Sequence, residues 1–413
     1  MRLLILSQYF WPENFRINEM LSALVAKGLK IDVLTGKPNY PDGIIFDGYS
    51  LWGCAREEYE GATIHRVPLA PRGNGRAIRL ALNYISFIFF GLVCGSWLLR
   101  GKKFDAIFVY APSPILQAIP AIFLGWLKGS PVILWVQDLW PASLEATGHV
   151  KNKLVLKLVE HIVRFIYRRV DLLLVQSEAF IAPVSALAGG TPVIYYPNSV
   201  DDSFSVPAID PLPEVEGLDD KFSILFAGNI GTAQAVEVIV EAADLLKENN
   251  NIHFVVIGNG SRRDWMLQQL KERKLTNIYL PGRFPIEMMP GFMQKASVLL
   301  VTLADEEIFR YTVPSKVQAY LAAGRPILAC LNGEGARLVV AAGAGLAIPA
   351  QDGTALATAI LQMYGYTQHE RDVLGANGST YFAEHFLHDM LIDRLILIIQ
   401  SCIGNRNPKG KLE

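Results

Sequence analysis

The sequence predicts two doubly wound α/β domains in tandem, and three observations support this fold class. Short apolar strands alternate with helical segments from the first residues to beyond residue 340. This alternation is typical of parallel sheets whose strands are connected by helices. Residues 201–220, rich in Pro, Asp and Ser, interrupt it and predict a linker. The 413 residues suffice for two domains, and 51% of them are hydrophobic, which excludes a disordered chain.

The predicted first domain, residues 1–200, contains a series of strand-like runs with helical segments between them. In chain order these runs are LLILS, KIDVLTG, TIHRV, DAIFVY, PVILWVQ and DLLLVQ. A helix is predicted over Asn18–Lys27, between the first two runs. The loop after the first run, SQYFWPENFR, is bulky and polar. It lacks the glycines that let a backbone approach a pyrophosphate, so a nicotinamide or flavin dinucleotide is not expected there.

An uncharged segment of 20 residues, Leu80–Leu99, follows the third run and is flanked by Arg79 and Arg100. By length and composition it qualifies as a membrane span. Strand-like runs of one predicted sheet precede and follow it, so a span would place parts of that sheet on opposite sides of a bilayer. We therefore expect a helix that is buried or dips into a membrane surface, with a span as the alternative.

The near-zero net charge hides a difference between the two halves of the chain. Residues 1–200 carry 20 Lys+Arg and 14 Asp+Glu, whereas the remaining residues carry 18 and 25. Cationic residues also recur every three or four positions from Lys153 to Arg168, on an otherwise apolar helix. We expect this domain to bind an anionic membrane surface, with a solvated charged face as the alternative. Nucleic acid is disfavoured, because aliphatic residues rather than stacking aromatics alternate with the basic ones.

The second predicted domain, residues 221–385, places glycine and small polar residues after three successive strands. These strand ends are AGNIG at 227–231, IGNGS at 257–261 and PGR at 281–283. Glycine after one strand is common turn chemistry, but three such ends at one sheet edge favour a nucleotide. A long apolar helix within residues 386–413 closes the chain and is expected to pack against either domain.

The segment TVPSKVQAYLAAGRPIL, residues 312–328, predicts an anion-binding helix N-terminus. Pro314 suits the first turn of a helix, Thr312 or Ser315 can cap it, and Lys316 follows at once. Free backbone amides, the helix dipole and a cation are then expected at one place. The alternative is an ordinary capped helix with a solvated lysine.

The N-terminus does not predict a secretory leader, because only four apolar residues precede Ser7 and Gln8. The four cysteines lie far apart in the sequence, in no pattern typical of a zinc site or a disulfide framework. We expect a cytoplasmic protein that is peripheral at the inner face of the membrane.

Several strings of the sequence together resemble a known family. They are YFWPENFRINEMLSALVAKGLKIDVLTGKPNYPDG, LNYISF, QDLWP, PNSVD, LFAGNIGTAQAVE and VPSKVQAYLAAGRPI. In this order, and across nearly the whole chain, they are similar to the bacterial family 4 glycosyltransferases of the WbuB-like branch. The resemblance implies the GT-B fold, in which two Rossmann-like domains face a central cleft. It also implies retaining, metal-independent transfer from a nucleotide sugar to a lipid-linked saccharide, in the synthesis of surface polysaccharide such as O-antigen or capsule.

The resemblance further implies where the substrates bind. The donor, expected to be UDP-linked and to carry an N-acetylated amino or deoxy sugar, would lie against the second domain. Lys316 and Arg283 would stabilise the departing diphosphate, and Asp138 and Glu13 would orient the acceptor. No cofactor or metal is expected, since no Asp-x-Asp follows a strand. The implied donor residues are Gly228, Asn229, Gly231, Gln234, Gly258, Gly260, Glu306, Glu307, Pro314, Ser315 and Lys316, and the implied acceptor residues are Glu13, Asn14, Arg16 and Asp138.

The sequence departs from the family pattern at several positions, and two of them bear on the ribose contact. Tyr311 and Ala319 stand where the family carries a pair of glutamates, which leaves the ribose contact to Glu306 or Glu307. Two other functions remain open. A sugar-nucleotide 2-epimerase would share the fold and its cleft but has no use for a lipid-facing basic helix, and the two departures leave open a degenerate subunit that scaffolds another transferase. Product analysis without acceptor would identify the epimerase, and nucleotide binding would argue against the scaffold.

Overall fold

The computed structural model describes residues 1–73, 76–146, 152–200, 212–219 and 221–405. The chain divides into two compact units. The first comprises Met1–Pro197 together with Ile392–Glu413, and the second comprises Asn198–Leu391. Each unit is a mainly parallel sheet with helical connections, which confirms the predicted fold class.

The strands of the first unit form one twisted sheet of mostly buried residues. Its strands are β1 (Arg2–Leu6), β2 (Lys30–Gly36), β3 (Ala55–Tyr59), β4 (Ala62–Val67), β5 (Ala106–Ala111), β6 (Val132–Val136), β7 (Leu172–Val175) and β8 (Val193–Tyr195). They are ordered β3-β4-β2-β1-β5-β6-β7-β8. All neighbours pair in parallel except β3 and β4, an antiparallel hairpin that the sequence analysis did not predict. The charges of AREEY suit β3 to its place at the sheet edge, where they oppose pairing with another chain.

The helices of the first unit connect these strands. They are α1 (Ile17–Ala26), α2 (Ala77–Leu98), α3 (Ala118–Lys128), α4 (Ala142–Ala146), α5 (Lys153–Tyr167) and α6 (Ile181–Ala188). The last helix of the chain, α15 (His388–Gly404), joins this unit from Ile392 onward. Arg394 donates to the carbonyl of Tyr195 at 2.9 Å, and Lys27 forms an ion pair with Asp393 at 2.7 Å.

The second unit is a six-stranded sheet in which all neighbouring strands are parallel. Its strands are β9 (Phe222–Ala227), β10 (Ile252–Ile257), β11 (Ile278–Gly282), β12 (Val298–Thr302), β13 (Ile327–Cys330) and β14 (Gly345–Ile348), in the order β11-β10-β9-β12-β13-β14. Its helices are α7 (Glu237–Leu245), α8 (Arg263–Arg273), α9 (Met289–Lys295), α10 (Glu307–Tyr311), α11 (Ser315–Ala323), α12 (Glu334–Ala341), α13 (Gly353–Gly365) and α14 (Gln368–His385).

The unit boundaries differ from the predicted ones. Most of the predicted linker, 201–211 and residue 220, lies outside the described residues. In its described part Val215 and Leu218 are buried in the core of the second unit. This part therefore packs against the second unit and is not an exposed linker. The physical reason is its two apolar side chains, whose burial outweighs the turn composition of the segment.

The predicted uncharged helix is α2, and only a narrow stripe of it is buried. Every fourth residue from Asn83 to Leu99 faces the sheet and α3. Gly91 and Gly95 lie on this stripe, where an added Cβ would come within 3.1 Å of Pro120 and 2.8 Å of Leu34. The opposite side of the helix carries exposed apolar residues: Ile78, Leu82, Ile85, Phe89, Val93 and Trp97. Its residues Ile78–Leu98, 21 in number, are long and apolar enough to cross a membrane by length and composition, yet both ends of the helix lead into parallel strands of one sheet.

In each sheet the strand order reverses beside the first strand of the unit. In the first unit β1 lies between β2 and β5, and in the second β9 lies between β10 and β12. Ligands of open α/β sheets bind outside the carboxyl ends of the strands at such a switch point. The predicted site residues follow β1, β6, β9, β10, β11 and β12, so both edges are candidate binding sites.

Candidate functional site

The glycines after β9 and β10 bring two strand-end loops into backbone contact. Gly228 N donates to the carbonyl of Ile257 at 2.8 Å, and Ile230 N donates to the carbonyl of Asn259 at 2.8 Å. Gly258 has φ +150°, and a Cβ added to it would lie 1.8 Å from the Gly228 oxygen. This edge therefore admits no side chain at position 258, and its exposed surface is backbone, as a phosphate-binding edge requires.

Lys316 is the second residue of α11. Among the predicted cationic site residues, it is the one whose ammonium group is buried against these glycines. Its Nζ lies 3.5 Å from the centre of the Phe226 ring, and a Cβ added to Gly228 would lie 2.6 Å from its Cε. The ammonium is buried and has no hydrogen-bond partner among the described residues. Burial lowers the pKa of Lys316 to about 7. The predicted alternative of a solvated lysine is therefore wrong.

The start of α11 agrees with the predicted helix, but its cap does not. Pro314 occupies the cap position, and no side chain makes a cap hydrogen bond there. The prediction that Thr312 or Ser315 caps the helix is wrong, since the Thr312 hydroxyl donates to the carbonyl of Phe309 instead. The amides of the first turn and the Lys316 ammonium are all positive, and together they favour a bound anion.

Neutral amide side chains occupy the rest of the β9 loop. Asn229 donates through Nδ2 to Oε1 of Gln234 at 3.1 Å. Gly231 and Gly260 leave room for these groups, because a Cβ added to either would come within 2.7 Å of the Asn229 side-chain amide. The loop thus offers hydrogen-bonding groups without a charge, which leaves Lys316 as the cation of its immediate surroundings.

Arg283, Glu306 and Glu307 are exposed on the same sheet edge. Gly258 N donates to the carbonyl of Gly282 at 2.8 Å, which places Arg283 directly after this strand-end contact. The loop before Glu306 is tied to the β9 loop by the bond from Ala304 N to the carbonyl of Ala233, at 2.9 Å. The two glutamates therefore begin a short helix beside the glycine edge.

The two positions at which the family glutamates are absent differ in their surroundings. Ala319 is 7% exposed and packs in the hydrophobic core of the second unit. Tyr311 is half-buried at the end of α10.

In the first unit, Glu13 holds two loops together through its carboxylate. Oε2 accepts from Phe10 N at 3.0 Å, and Oε1 accepts from Asn39 N at 2.7 Å and from Tyr40 N at 2.8 Å. The residue is 2% exposed, and burial raises its pKa although these amides lower it. This geometry favours a positioning role over direct contact with an acceptor.

Asp138 follows β6, two strands away from β1 in the sheet. Its Oδ2 accepts from Nε1 of Trp140 at 3.3 Å. Burial raises the pKa of Asp138 and also that of Tyr84, to which the charge of Asp138 makes a smaller contribution in the same direction. A half-buried carboxylate with a raised pKa can accept a hydrogen bond from a sugar hydroxyl.

Asn14 and Arg16 complete the predicted acceptor residues. Asn14 is exposed in the loop after β1, and Arg16 is half-buried at the start of α1. Desolvation lowers the pKa of Arg16, while the nearby Tyr110, at the end of β5, raises it. Both residues therefore lie at the carboxyl edge of the first sheet.

The side chains that support these edges were not predicted from the sequence. Phe226, under the Lys316 ammonium, is one. Asn83 is another: it is buried in α2, and its Oδ1 accepts from Nε2 of Gln8 at 2.6 Å and from the Tyr9 hydroxyl at 3.1 Å. Its signal was the polar pair Asn83 and Tyr84 in an otherwise apolar helix.

Two family models match most of the chain. Residues 14–198 match the "Glycosyl transferase 4-like domain", and residues 221–365 match "Glycosyl transferases group 1". The chain is 27% identical over 346 residues to the putative colanic acid biosynthesis glycosyl transferase WcaI of Escherichia coli, covering 78% of this chain and 82% of that one. It is 29% identical over 299 residues to the probable glycosyltransferase WbjE of Pseudomonas aeruginosa, covering 69% and 73%.

Solved structures share the fold across the whole chain. A sucrose-phosphate synthase from Thermosynechococcus elongatus superposes with a TM-score of 0.70 at 16% identity, over 98% of this chain and 99% of that one. Anabaena HepE in complex with UDP superposes with a TM-score of 0.69 at 12% identity, over 97% and 100%. The chain belongs to the family 4 glycosyltransferases of the GT-B fold.

Proposed function

We propose that this glycosyltransferase transfers an N-acetylated amino sugar or deoxy sugar from UDP to a lipid-linked saccharide, in the synthesis of a bacterial surface polysaccharide. The observation that carries the donor part is the buried ammonium of Lys316 among glycine strand ends, where no described residue offers it a hydrogen-bond acceptor. A buried charge without a partner destabilises a fold, so its retention favours a ligand of opposite charge. A diphosphate fits this requirement.

The named relatives support the substrate class. The name of the E. coli protein assigns it to colanic acid biosynthesis. Structures of the same fold contain UDP, or UDP-2-fluoro glucose in a trehalose-6-phosphate protein of E. coli. The WbuB-like branch is part of the proposal and rests on the strings TGKPNYPDG and DLWP.

In the proposed reaction the residues of the second unit stabilise the leaving group. The bond between the anomeric carbon and the diphosphate oxygen breaks, and negative charge collects on the diphosphate. Lys316, the first turn of α11 and Arg283 stabilise that charge. The acceptor hydroxyl attacks from the face that the diphosphate leaves, and a diphosphate oxygen takes its proton, so the anomeric configuration is retained. Asp138 orients the attacking hydroxyl.

Metal independence is also part of the proposal. No group of three or more His, Cys, Asp or Glu side chains converges within the parts of the chain that the structure describes. The cations named above supply the positive charge that the leaving diphosphate needs.

We further propose that the first unit lies on the cytoplasmic face of an anionic membrane. The exposed side of α2 continues onto α3, which packs against it and exposes Phe123, Trp126 and Leu127. The neighbouring α5 exposes Leu154, Leu158 and Phe165 beside its cations. An apolar surface of this extent with basic residues around it is typical of membrane attachment. The continuity of the sheet around α2 favours a helix that lies in the interface over one that spans the bilayer.

The test of the donor site is UDP or GDP release from a panel of sugar nucleotides with a lipid extract as acceptor source. Lys316→Met keeps the side-chain length and removes the charge, so we expect kcat to fall by about 100- to 1000-fold with an unchanged circular dichroism spectrum. Lys271→Met, on the exposed face of α8, is the matched control and should transfer normally. Near-normal transfer by Lys316→Met would refute the phosphate role.

The same assay separates the alternatives. A scaffold subunit has no use for a buried charge that lowers its own stability, and the failure of the unaltered protein to bind UDP would favour it. Formation of the 2-epimeric sugar nucleotide without acceptor, or of UDP and the 2-epimeric free sugar if water cleaves the glycosyl bond, would identify the epimerase.

A further inference from the structure

Arg72 is a preorganised cation at the carboxyl edge of the first sheet that the proposed reaction has not used. Its guanidinium lies over the ring of Tyr9, 5.5 Å from the centroid, and over the ring of Tyr40, 5.0 Å from the centroid. Its Nη1 also donates to the Tyr9 hydroxyl at 3.3 Å. Among the residues that the structure describes, no carboxylate forms an ion pair with Arg72. The charge is thus held in place but not neutralised.

Three strand-end loops build the support for this guanidinium, hereafter the Arg72 platform: Tyr9, Asn39, Tyr40 and Arg72. Tyr9 follows β1, Asn39 and Tyr40 follow β2, and Arg72 follows β4, and these strands are neighbours in the sheet. Asn39 Oδ1 accepts from Arg72 N at 3.0 Å. The carboxylate of Glu13 fixes the amides of Asn39 and Tyr40.

Two glycines lock the same loops together. Gly73 N donates to the carbonyl of Gly43 at 2.8 Å, and a Cβ added to Gly43 would lie 1.8 Å from the Gly73 oxygen. The string TGKPNYPDG thus contains the three residues that hold the Arg72 loop in place: Asn39, Tyr40 and Gly43. Such rigidity suits recognition of a planar or tetrahedral anion, because little entropy is lost on binding.

The location of the platform indicates which anion it binds. Helix α2 begins at Ala77, shortly after Arg72, and its first exposed residue, Ile78, belongs to the apolar side described above. Asn83 ties this end of α2 to Tyr9. If the apolar side of α2 lies in lipid, Arg72 lies near the depth of lipid phosphates.

We infer that the Arg72 platform binds the phosphate groups of the lipid-linked acceptor, a polyprenyl diphosphate that carries the saccharide. This inference rests on the proposed function and adds the acceptor's phosphate to it. The charges of Arg72 and of Asp138, the carboxylate proposed to orient the hydroxyl, both act on Tyr84, so the two groups share one neighbourhood of this sheet edge. Arg is suited to the task because its fork donates to two phosphate oxygens at once.

The test uses farnesyl diphosphate, whose binding to the full chain is measured by calorimetry with saturating UDP to occupy the donor site. We expect Arg72→Ala to weaken binding about tenfold or more, since a charge-assisted pair of bonds is lost. Arg72→Lys keeps the charge but loses the forked pair of donors, so its affinity for farnesyl diphosphate should lie between those of the unaltered protein and Arg72→Ala. Arg56→Ala, an exposed arginine on β3, is the matched control and should bind as the unaltered protein does.

Two further measurements distinguish binding of the acceptor's phosphate from nonspecific binding to an anionic membrane. Farnesol and phosphatidylglycerol vesicles should bind Arg72→Ala and the unaltered protein equally. The inference is overturned if Arg72→Ala binds farnesyl diphosphate normally, if the unaltered protein does not bind it, or if vesicle binding falls by the same factor. Arg72→Gln replaces Arg72→Ala if thermal unfolding shows that the alanine variant is misfolded. Because no transfer is measured, failure here leaves the Lys316 test of the donor site unaffected.

Discussion

The carboxyl edges of the two sheets both lie at a point where the strand order reverses, but one is lined by backbone and the other by side chains. The edge of the second unit is almost bare backbone: glycines end β9 and β10, and one buried ammonium lies against them. The edge of the first unit is filled by side chains, with Tyr9, Phe15 and Tyr40 packed in a ring cluster under Arg72. A bare edge lets a diphosphate approach main-chain amides, whereas a filled edge offers a shaped surface beside an apolar helix. This difference is the basis of our proposal that the donor binds at one edge and the lipid-linked acceptor at the other.

The largest expected effect comes from filling the bare edge. Gly258→Ala places a Cβ against the Gly228 carbonyl, at a φ of +150° that L-residues rarely adopt. We expect the free energy of unfolding of the second unit to fall by about 3 kcal/mol or more and UDP binding to be lost. Thermal unfolding and calorimetry with UDP measure both.

Gly282→Ala is the matched control on the same edge. Gly282 has φ +103°, but an added Cβ would meet no atom within 4 Å. Only backbone strain remains, so we expect the free energy of unfolding to fall by about 1 kcal/mol and UDP binding to be retained. Equal effects of the two substitutions would show that contact between the loops does not matter.

A smaller effect is expected when the apolar side of α2 is made polar. Ile85 and Phe89 are 59% and 57% exposed, so their replacement by serine should leave the fold intact. Each side chain loses about 1.5 to 3 kcal/mol of burial in lipid, and together this lowers affinity for phosphatidylglycerol vesicles by about 100-fold or more. Vesicle co-sedimentation measures the change.

The control for the membrane surface lies on the second unit. Leu245→Ser with Leu361→Ser changes two exposed leucines there and should leave vesicle binding unchanged. If both pairs of substitutions weaken vesicle binding alike, the first unit has no special membrane surface.

The smallest effect is expected for Glu13→Gln, a substitution that distinguishes a positioning role of Glu13 from a chemical one. In Glu13→Gln one oxygen becomes an NH2 group that cannot accept, which leaves at least one buried amide unpaired. We expect a loss of stability of about 1 to 3 kcal/mol, a severalfold rise of the acceptor KM and an unchanged donor KM. Glu19→Gln, exposed on α1, is the control. A large fall of kcat without a change in stability would instead make Glu13 a catalytic residue.

Much of the bare edge could be predicted from sequence because its signals are local. Each glycine that shapes this edge directly follows its strand in the sequence, and the helix predicted within residues 312–328 is α11, Ser315–Ala323. The burial of the Lys316 ammonium could not be predicted, because Phe226 lies 90 positions earlier in the chain. That contact depends on β9 and α11 meeting in the folded sheet.

The filled edge was harder to predict for the same reason. Asn39, Arg72 and Asn83 are joined by contacts that span tens of residues. In the sequence Arg72 is one of several basic residues before the uncharged segment, and Glu13 was predicted to orient the acceptor. Only the fold shows that one is held on aromatic rings and that the other bonds three backbone amides.

The most direct test of the bare edge as a donor site is the pH dependence of UDP affinity. Burial lowers the pKa of Lys316 to about 7, so the free protein loses this charge as the pH rises from 7 to 9, while the diphosphate stays ionised. Binding must then return the proton, and calorimetry in two buffers should show proton uptake with affinity falling by up to about tenfold per pH unit. Lys316→Met should bind weakly at every pH without this slope. A flat profile in the unaltered protein, or the same slope in Lys316→Met, would contradict the assignment of the diphosphate to Lys316.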